Sequence, residues 1–102
     1  MASVDPESMP FVGRDAILAL AALVQALHAG VARSLDATDR TAFNIGTVTG
    51  GRSQSVVAEE ASLTGTLRTV DPDVRARLRT AIERITAGVA DAHEVRARLT
   101  WA

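Results

Sequence analysis

The chain has no cysteine, no lysine and no tyrosine, and its aromatic residues are limited to two phenylalanines and one tryptophan. The absence of cysteine excludes disulfides, thiolate nucleophiles and thiolate metal ligands. The eleven basic residues are balanced by twelve acidic residues, and a net charge of -1 creates no basic field that would attract nucleic acid or an anionic membrane. We therefore expect neither a nucleic acid nor a membrane as a partner.

The N-terminal segment, residues 1–12, has no basic region followed by an apolar region, so it does not read as a signal peptide. Together with the absence of cysteine, this favours a cytoplasmic location. The segment contains Pro6 and Pro10 and has no hydrophobic period. It is therefore predicted to be irregular, and residues 13–102 are predicted to form a single domain.

The most regular stretch is Glu60–Val70, where apolar and polar residues alternate. This alternation predicts a strand with one packed side and one solvent-facing side, as in an antiparallel sheet that helices cover on one face. Asp71 stands at an N-cap position and Pro72 at the first helical position, and Asp73 adds negative charge to the first turn. A helix is therefore expected to begin at Pro72.

The remaining elements follow from the spacing of the apolar residues. Spacings of three and four predict helices over Arg14–Ser34 and Pro72–Ala90. Alternation predicts strands over Thr41–Thr49 and from His93 to the end of the chain. Gly50–Gly51 predicts a turn between the two central strands. The predicted fold class is α+β, a two-layer sandwich of an antiparallel sheet with two helices on one face.

The first predicted helix has no charged residue between Asp15 and Arg33, and a helix that is apolar nearly all round is buried on more than one side. One other helix does not suffice to cover both sides, so the chain is expected to form a homodimer. The alternative is that alanine is simply a good helix former that tolerates exposure. The predicted core stripe is Ile17, Leu20, Val24, Leu27 and Val31. The predicted dimer interface is Leu18, Ala19, Ala22, Leu23, Ala26 and Gly30.

Candidate catalytic residues are scarce. Neither His28 nor His93 has a second ligand at metal-binding spacing, and His28 is expected on a helix surface or at an interface. Arg68 ends the polar face of its strand, with no acidic residue two positions away. A guanidinium on a rigid strand suits the capture of a carboxylate. A solvated arginine, or one paired with a glutamate on a neighbouring strand, is the alternative interpretation.

Three segments in order, SMPFVGRDAILALAALVQAL, NIGTVTGG and LTGTLRTVDPDVRARL, carry a resemblance to a known family. From Ser8 onward the sequence resembles the dimerisation or lid domain of the zinc-dependent aminoacylase and carboxypeptidase superfamily. This superfamily of metallopeptidases and amidohydrolases includes acetylornithine deacetylase, succinyl-diaminopimelate desuccinylase and hippurate hydrolase. The resemblance implies a ferredoxin-like sandwich whose first helix and neighbouring edge strand pair with a second subunit.

The resemblance also implies that the zinc ligands belong to a separate catalytic domain of a longer hydrolase. This domain by itself is therefore expected to hold no metal or other cofactor and to be non-catalytic. Its implied partners are a second copy of the chain and the zinc-containing catalytic domain. In this view the domain acts as a lid that lends side chains to an active site.

Two substrate-binding residues are implied by the resemblance. Arg68 stands where the arginine of the family's GTxRT motif binds a substrate carboxylate, and Ser55 stands where the family usually has an asparagine. The family's first strand ends in a Gly-His pair just before the segment that matches Ser8–Pro10, whereas Met1–Glu7 contains no histidine. The first strand is therefore expected to be missing. Either the last strand or a neighbouring chain is expected to pair with the Glu60–Val70 strand in its place.

Two other functions stay open at this point. A stand-alone regulatory domain of ferredoxin-like fold would bind a small molecule in a crevice at the dimer junction. An RNA-binding sheet would need exposed aromatic residues and basic charge, and the chain has only Phe11, Phe43 and Trp101.

Overall fold

The computed structural model describes residues 2–3, 9–12, 15–36 and 39–101 of the chain. Five strands and two helices lie within these ranges. Their order is β1 (Ala2–Ser3), β2 (Met9–Val12), α1 (Ala16–Arg33), β3 (Thr41–Gly50), β4 (Glu60–Thr69), α2 (Pro72–Ala92) and β5 (Arg96–Ala97).

The sheet is antiparallel and is built around β4. Strand β3 pairs with one edge of β4 along its whole length, while β1 and β2 pair with the other edge, and β5 lies beyond β2. The side chains of Ala61, Leu63 and Leu67 are buried in the core cluster together with residues of both helices. Both helices also contact each other and β4. The chain thus has the predicted α+β architecture, with two helices on one face of the sheet.

The first strand is present, contrary to expectation. Residues 1–12 were predicted to be irregular, but Ala2–Ser3 pairs with the end of β4 and Met9–Val12 pairs with its beginning. Strand β2 occupies the place between β4 and β5, and β1 pairs with β4 alone. Because this place is filled, neither a moved last strand nor a neighbouring chain is needed there. Ser8, where the family resemblance begins, and Arg14, the predicted start of the first helix, lie outside the described residues.

Strand β3 contains a β-bulge, which matches the spacing of its apolar residues. Ile45 pairs with Gly65, but Thr47 pairs with Thr64, so Gly46 is the extra residue. After the bulge Val48 stands opposite Leu63, on the side of β4 that carries the core residues. The three-residue spacing from Ile45 to Val48 therefore keeps both side chains on the same face of the strand.

Helix α2 begins as predicted. The carboxylate of Asp71 accepts a hydrogen bond from the backbone N–H of Asp73 at 2.8 Å, and Pro72 occupies the first turn. Val74, Leu78 and Ile82 are buried, in the order that the apolar period predicts. The helix continues to Ala92, two residues beyond the predicted end.

Helix α1 is rotated relative to the predicted core stripe. Leu20, Leu27 and Val31 are buried as expected, but Ile17 is 46% exposed and Val24 is only half-buried. The buried side is centred instead on a stripe that includes Leu23. Because the helix is apolar nearly all round, its hydrophobic pattern does not determine which side faces the sheet.

The last strand is shorter than predicted. Only Arg96–Ala97 pairs with β2, although the alternation extends to Trp101. The indole N–H of Trp101 instead donates to the carboxylate of Glu83 on α2 at 3.1 Å, and the guanidinium carbon of Arg79 lies 4.7 Å from the centre of the Trp101 ring. These contacts draw the end of the chain toward α2 rather than along the sheet.

Helix α1 has the length and composition of a membrane span, with a mean hydropathy of 1.6. Its buried residues, however, belong to the core of this fold, where they pack with those of the sheet and α2. A core helix of a water-soluble domain passes the same test of length and hydropathy.

Candidate functional site

Helix α1 lies above the edge strand β3 and runs in the opposite direction. At one end, Cγ1 of Ile17 lies 3.0 Å from the position that a β-carbon on Gly50 would occupy. At the other end, the rings of His28 and Phe43 meet edge to face, with their centroids 5.7 Å apart. The first residues of α1 therefore cover the end of β3, and its last turns cover the beginning of β3.

One stripe of α1 joins these two contacts. Ile17, Ala21, Val24 and His28 are spaced by four, three and four residues, so they follow one side of the helix. Ile17, Ala21 and His28 are exposed, and Val24 is half-buried. We call this stripe, together with the outer edge of β3, the α1–β3 flank.

The β3 edge of the sheet lacks the usual protection against a further strand. Within the described residues, the outer edge of β3 pairs with no other strand. Its ten residues, Thr41–Gly50, include no charged residue and no proline, and only the bulge at Gly46 interrupts it. The opposite edge differs, because β5 has only two residues, of which Arg96 is exposed, and the exposed Arg98 follows directly.

Three of the six residues in the predicted interface strip are covered within the chain itself. Ala19, Leu23 and Gly30 are buried, so a second chain cannot reach them. A β-carbon on Gly30 would lie 2.2 Å from Cδ1 of Ile85 in α2. The small residues therefore do permit the close approach of another helix, but that helix is α2 of the same chain.

The rest of the predicted strip remains accessible to some degree. Leu18 is 57% exposed, and Ala22 and Ala26 are half-buried. Ile17 and Val24, which the sequence pattern assigned to the core stripe, and Ala21, which it left unassigned, lie instead beside the open strand edge. The uncharged sequence of β3 was a further signal for this surface, beside the uncharged run of α1.

Arg68 projects from the polar side of β4. Its cross-strand neighbours are Ala42 on β3 and Ser3 on β1, and neither is acidic. Among the described residues the ion pair found joins Arg77 and Asp39, at 3.1 Å, and does not involve Arg68. Among the described residues, Arg68 therefore has no glutamate partner on a neighbouring strand.

Ser55 lies in the loop that joins β3 to β4, near the opposite end of β4 from Arg68. It is exposed, and its backbone N–H donates to the hydroxyl of Ser53 at 3.3 Å. A cleft of about 430 Å³ lies at this end of the hairpin, beside Gly51 and Glu60. Neither Ser55 nor Arg68 lines this cleft, and no hydrogen bond joins the two residues.

The described part of the chain offers no metal centre. None of its residues form a group of three or more His, Cys, Asp or Glu side chains that could hold a metal ion. His28 contacts Phe43, and His93 caps the end of α2, where its backbone N–H donates to the carbonyl of Val89 at 3.0 Å. The side chains described here do not fit a catalytic zinc site.

Comparison with curated proteins gives relatives that are deacetylases. The chain is 34% identical over 92 residues to N-acetyldiaminopimelate deacetylase of Bacillus pumilus (strain SAFR-032), which covers 90% of this chain and 24% of that protein. It is 38% identical over 94 residues to the enzyme of the same name from Geobacillus thermodenitrificans (strain NG80-2), which covers 92% of this chain and 25% of that protein. The chain thus spans about a quarter of the length of these relatives.

Solved structures contain the same fold. The YXEP protein of Bacillus subtilis, described as a dinuclear metal-binding peptidase from the M20 family, superposes with a TM-score of 0.78 and 25% identity over 99% of this chain and 26% of that one. The aminobenzoyl-glutamate utilization protein of Klebsiella pneumoniae gives a TM-score of 0.85 and 23% identity over 99% of this chain and 28% of that one. The family model described as "Peptidase dimerisation domain" matches residues 6–94. The chain therefore belongs to the peptidase dimerisation domain family.

Proposed function

We propose that this domain holds two copies of its chain together through the α1–β3 flank. The observation that carries the proposal is the position of an uncharged helix stripe directly above an unprotected edge strand. A second β3 strand would satisfy the free backbone groups of the edge. The stripe of a second α1 would at the same time cover Ile17 and its neighbours.

The size of the flank sets the expected strength of the dimer. At 1.5 Å per helical residue and 3.3 Å per strand residue, α1 and β3 are about 27 Å and about 33 Å long. A flank of this length and two layers deep buries about 1,000 Å² in total, the lower limit for a specific interface. A dissociation constant in the micromolar range is expected, because interfaces near this limit are weak.

Sedimentation of the Ala21→Glu variant tests the proposal. Ala21 is exposed in the middle of the α1 stripe, so the variant places two unpaired carboxylates in the dimer interface. The dissociation constant is expected to rise about 100-fold or more, since such a charge costs several kcal/mol. Ala87→Glu is the matched control, because Ala87 is exposed on α2 and away from the flank. Equal dimerisation of both variants would contradict the proposal.

The proposal has a second part: the domain is a lid of a longer zinc-dependent amidohydrolase or peptidase. The deacetylases and peptidase named above support a hydrolase, and the dinuclear metal site of YXEP supports a metalloenzyme. Since the described residues hold no metal group, the zinc would belong to a separate catalytic domain. Arg68 would bind a substrate carboxylate, and Ser55 would contact the substrate near the scissile group.

A chimera tests the lid role. The chain would replace the matching 92 residues of the Bacillus pumilus deacetylase, and hydrolysis of N-acetyldiaminopimelate would be followed. Arg68→Met is expected to raise KM at least about 10-fold, because a charge-assisted hydrogen bond to a carboxylate contributes about 1.5–3 kcal/mol. Arg84→Met, on the exposed side of α2, is the control. An unchanged KM in the Arg68 variant of an active chimera would overturn the assignment.

A further inference from the structure

His28 is the single titratable side chain on the α1 stripe of the flank. It is exposed in one copy of the chain, and its ring meets Phe43 at an interplanar angle of 70°. Phe43 belongs to the edge strand, so the imidazole lies at the junction of the two layers that the proposed dimer would bury. We propose that His28 makes self-association sensitive to pH, with the dimer stable near neutral pH and weakened when the imidazole is protonated. This inference rests on the proposed dimerisation through the flank.

The surroundings of His28 offer no partner for a positive charge. One turn away on α1 lie Val24, Gln25, Val31 and Ala32, and all of β3 is uncharged. Helix α2 packs on the other side of α1, at Gly30. Neither the hydrogen bonds nor the ion pair found among the described residues involve the imidazole of His28.

The nearest charged groups along the chain do not change this conclusion. Arg33 would repel an imidazolium rather than stabilise it. In the connection between α1 and β3, the carboxylate of Asp39 is already paired with Arg77 at 3.1 Å. Asp36 and Arg40 in the same connection are exposed and carry opposite charges. In a symmetric dimer, the partner contributes the same uncharged stripe and strand.

The direction of the effect follows from proton linkage. Removing an imidazole from water without an acidic partner disfavours its charged form, so the dimer would favour a neutral His28 and the monomer would accept the proton more readily. A group with a lower pKa in the associated state contributes full stability above its monomer pKa and loses it as pH falls. Because histidine is the side chain that gains its charge between pH 8 and 5, and the dimer holds two copies of His28, the dissociation constant would rise about 100-fold between pH 7.5 and 5.5.

The experiment is sedimentation equilibrium of the complete chain at pH 7.5, 6.5 and 5.5, on the wild type, His28→Gln and His93→Gln. The wild type and His93→Gln are expected to dissociate as the pH falls, because His93 lies at the end of α2. His28→Gln keeps a neutral polar side chain at every pH, so its dissociation constant is expected to stay constant. NMR spectra of His28 at pH 6.5 in concentrated and dilute samples give a second readout and should show less imidazole protonation in the concentrated, dimeric sample.

The outcomes separate this inference from the proposed function. A dimer whose dissociation constant is the same at pH 7.5 and 5.5, or a pH dependence that persists in His28→Gln, would overturn the role of His28 and leave the dimer standing. A wild-type chain that is monomeric at all three pH values at high micromolar concentration would overturn both.

Discussion

At the scale of single residues, the contact between Gly30 and Ile85 fixes the distance between the two helices. A side chain at position 30 would occupy the space that Cδ1 of Ile85 fills. Gly88 on α2 has no such neighbour, since a β-carbon there would meet nothing within 4 Å. Each glycine therefore costs its helix the same conformational freedom, but only Gly30 makes room for a side chain of the other helix.

Alanine substitutions should distinguish the two glycines. Gly88→Ala is expected to stabilise the fold by about 0.5–1 kcal/mol, because alanine is the better helix former. Gly30→Ala is not expected to show this stabilisation. It should be about 1–2 kcal/mol less stable than Gly88→Ala, because Ile85 must move. Urea unfolding measures both values.

Removal of the clashing atom supplies the control. In an Ile85→Val background, which lacks Cδ1, Gly30→Ala is expected to stabilise as Gly88→Ala does. If Gly30→Ala were equally stabilising in the wild-type background, the helices would not be in the contact that the structure describes.

At the scale of elements, what the sequence could predict depends on how sharply each pattern separates two faces. The alternation of β4 and the Asp71–Pro72 start of α2 define one arrangement each, and the structure confirms both. Helix α1 lacks a polar face, so its rotation about its own axis is decided by the packing of Leu23 and Gly30, which the pattern does not reveal.

The two short strands at the N-terminus could not be read from the sequence either. Only two residues of β1 and four of β2 pair with β4, and Pro10 lies within β2. Segments this short carry no measurable alternation, and a proline lowers their strand propensity. Their formation depends on the free edge of β4, which is a tertiary effect.

Two deletions test the role of this N-terminal strand. Removal of residues 1–12 should leave β5 without its neighbour and expose one edge of β4, so cooperative unfolding is expected to be lost or replaced by aggregation. Removal of residues 1–3 affects only the two pairs with Thr69 and Arg68, and should cost at most about 2 kcal/mol. Thermal unfolding and size-exclusion chromatography would report both. An unchanged melting curve after the longer deletion would show that the strand does not support the sheet.

For the candidate site too, some features could be predicted from the sequence and others could not. Arg68 could be singled out from its place on the polar side of β4, and the structure leaves it without an acidic cross-strand neighbour among the described residues. The sequence could predict that α1 takes part in the proposed dimer surface, but not which side of the helix does so. Ala21 and His28, rather than Ala19 and Gly30, lie on the accessible side of that helix.

At the scale of the whole molecule, the two edges of the sheet are unequal. One edge ends in the two residues of β5, with Arg96 in the strand and Arg98 just after it, and the other presents ten uncharged residues of β3 beneath the α1 stripe. Charged, short edges resist further pairing, whereas long uncharged edges invite it. In the proposed dimer, this asymmetry would favour association at the β3 edge, so two copies are expected to form a closed dimer rather than a continuing chain.

Amide hydrogen exchange of β3 tests this account most directly. In an antiparallel edge strand, alternate N–H groups point away from the neighbouring strand. In samples well above the dissociation constant, the outward N–H groups of Thr41–Gly50 are expected to be protected, and dilution should remove their protection while the groups bonded to β4 keep theirs. Outward N–H groups that exchange at the same rate in the dimer and the monomer would contradict the account.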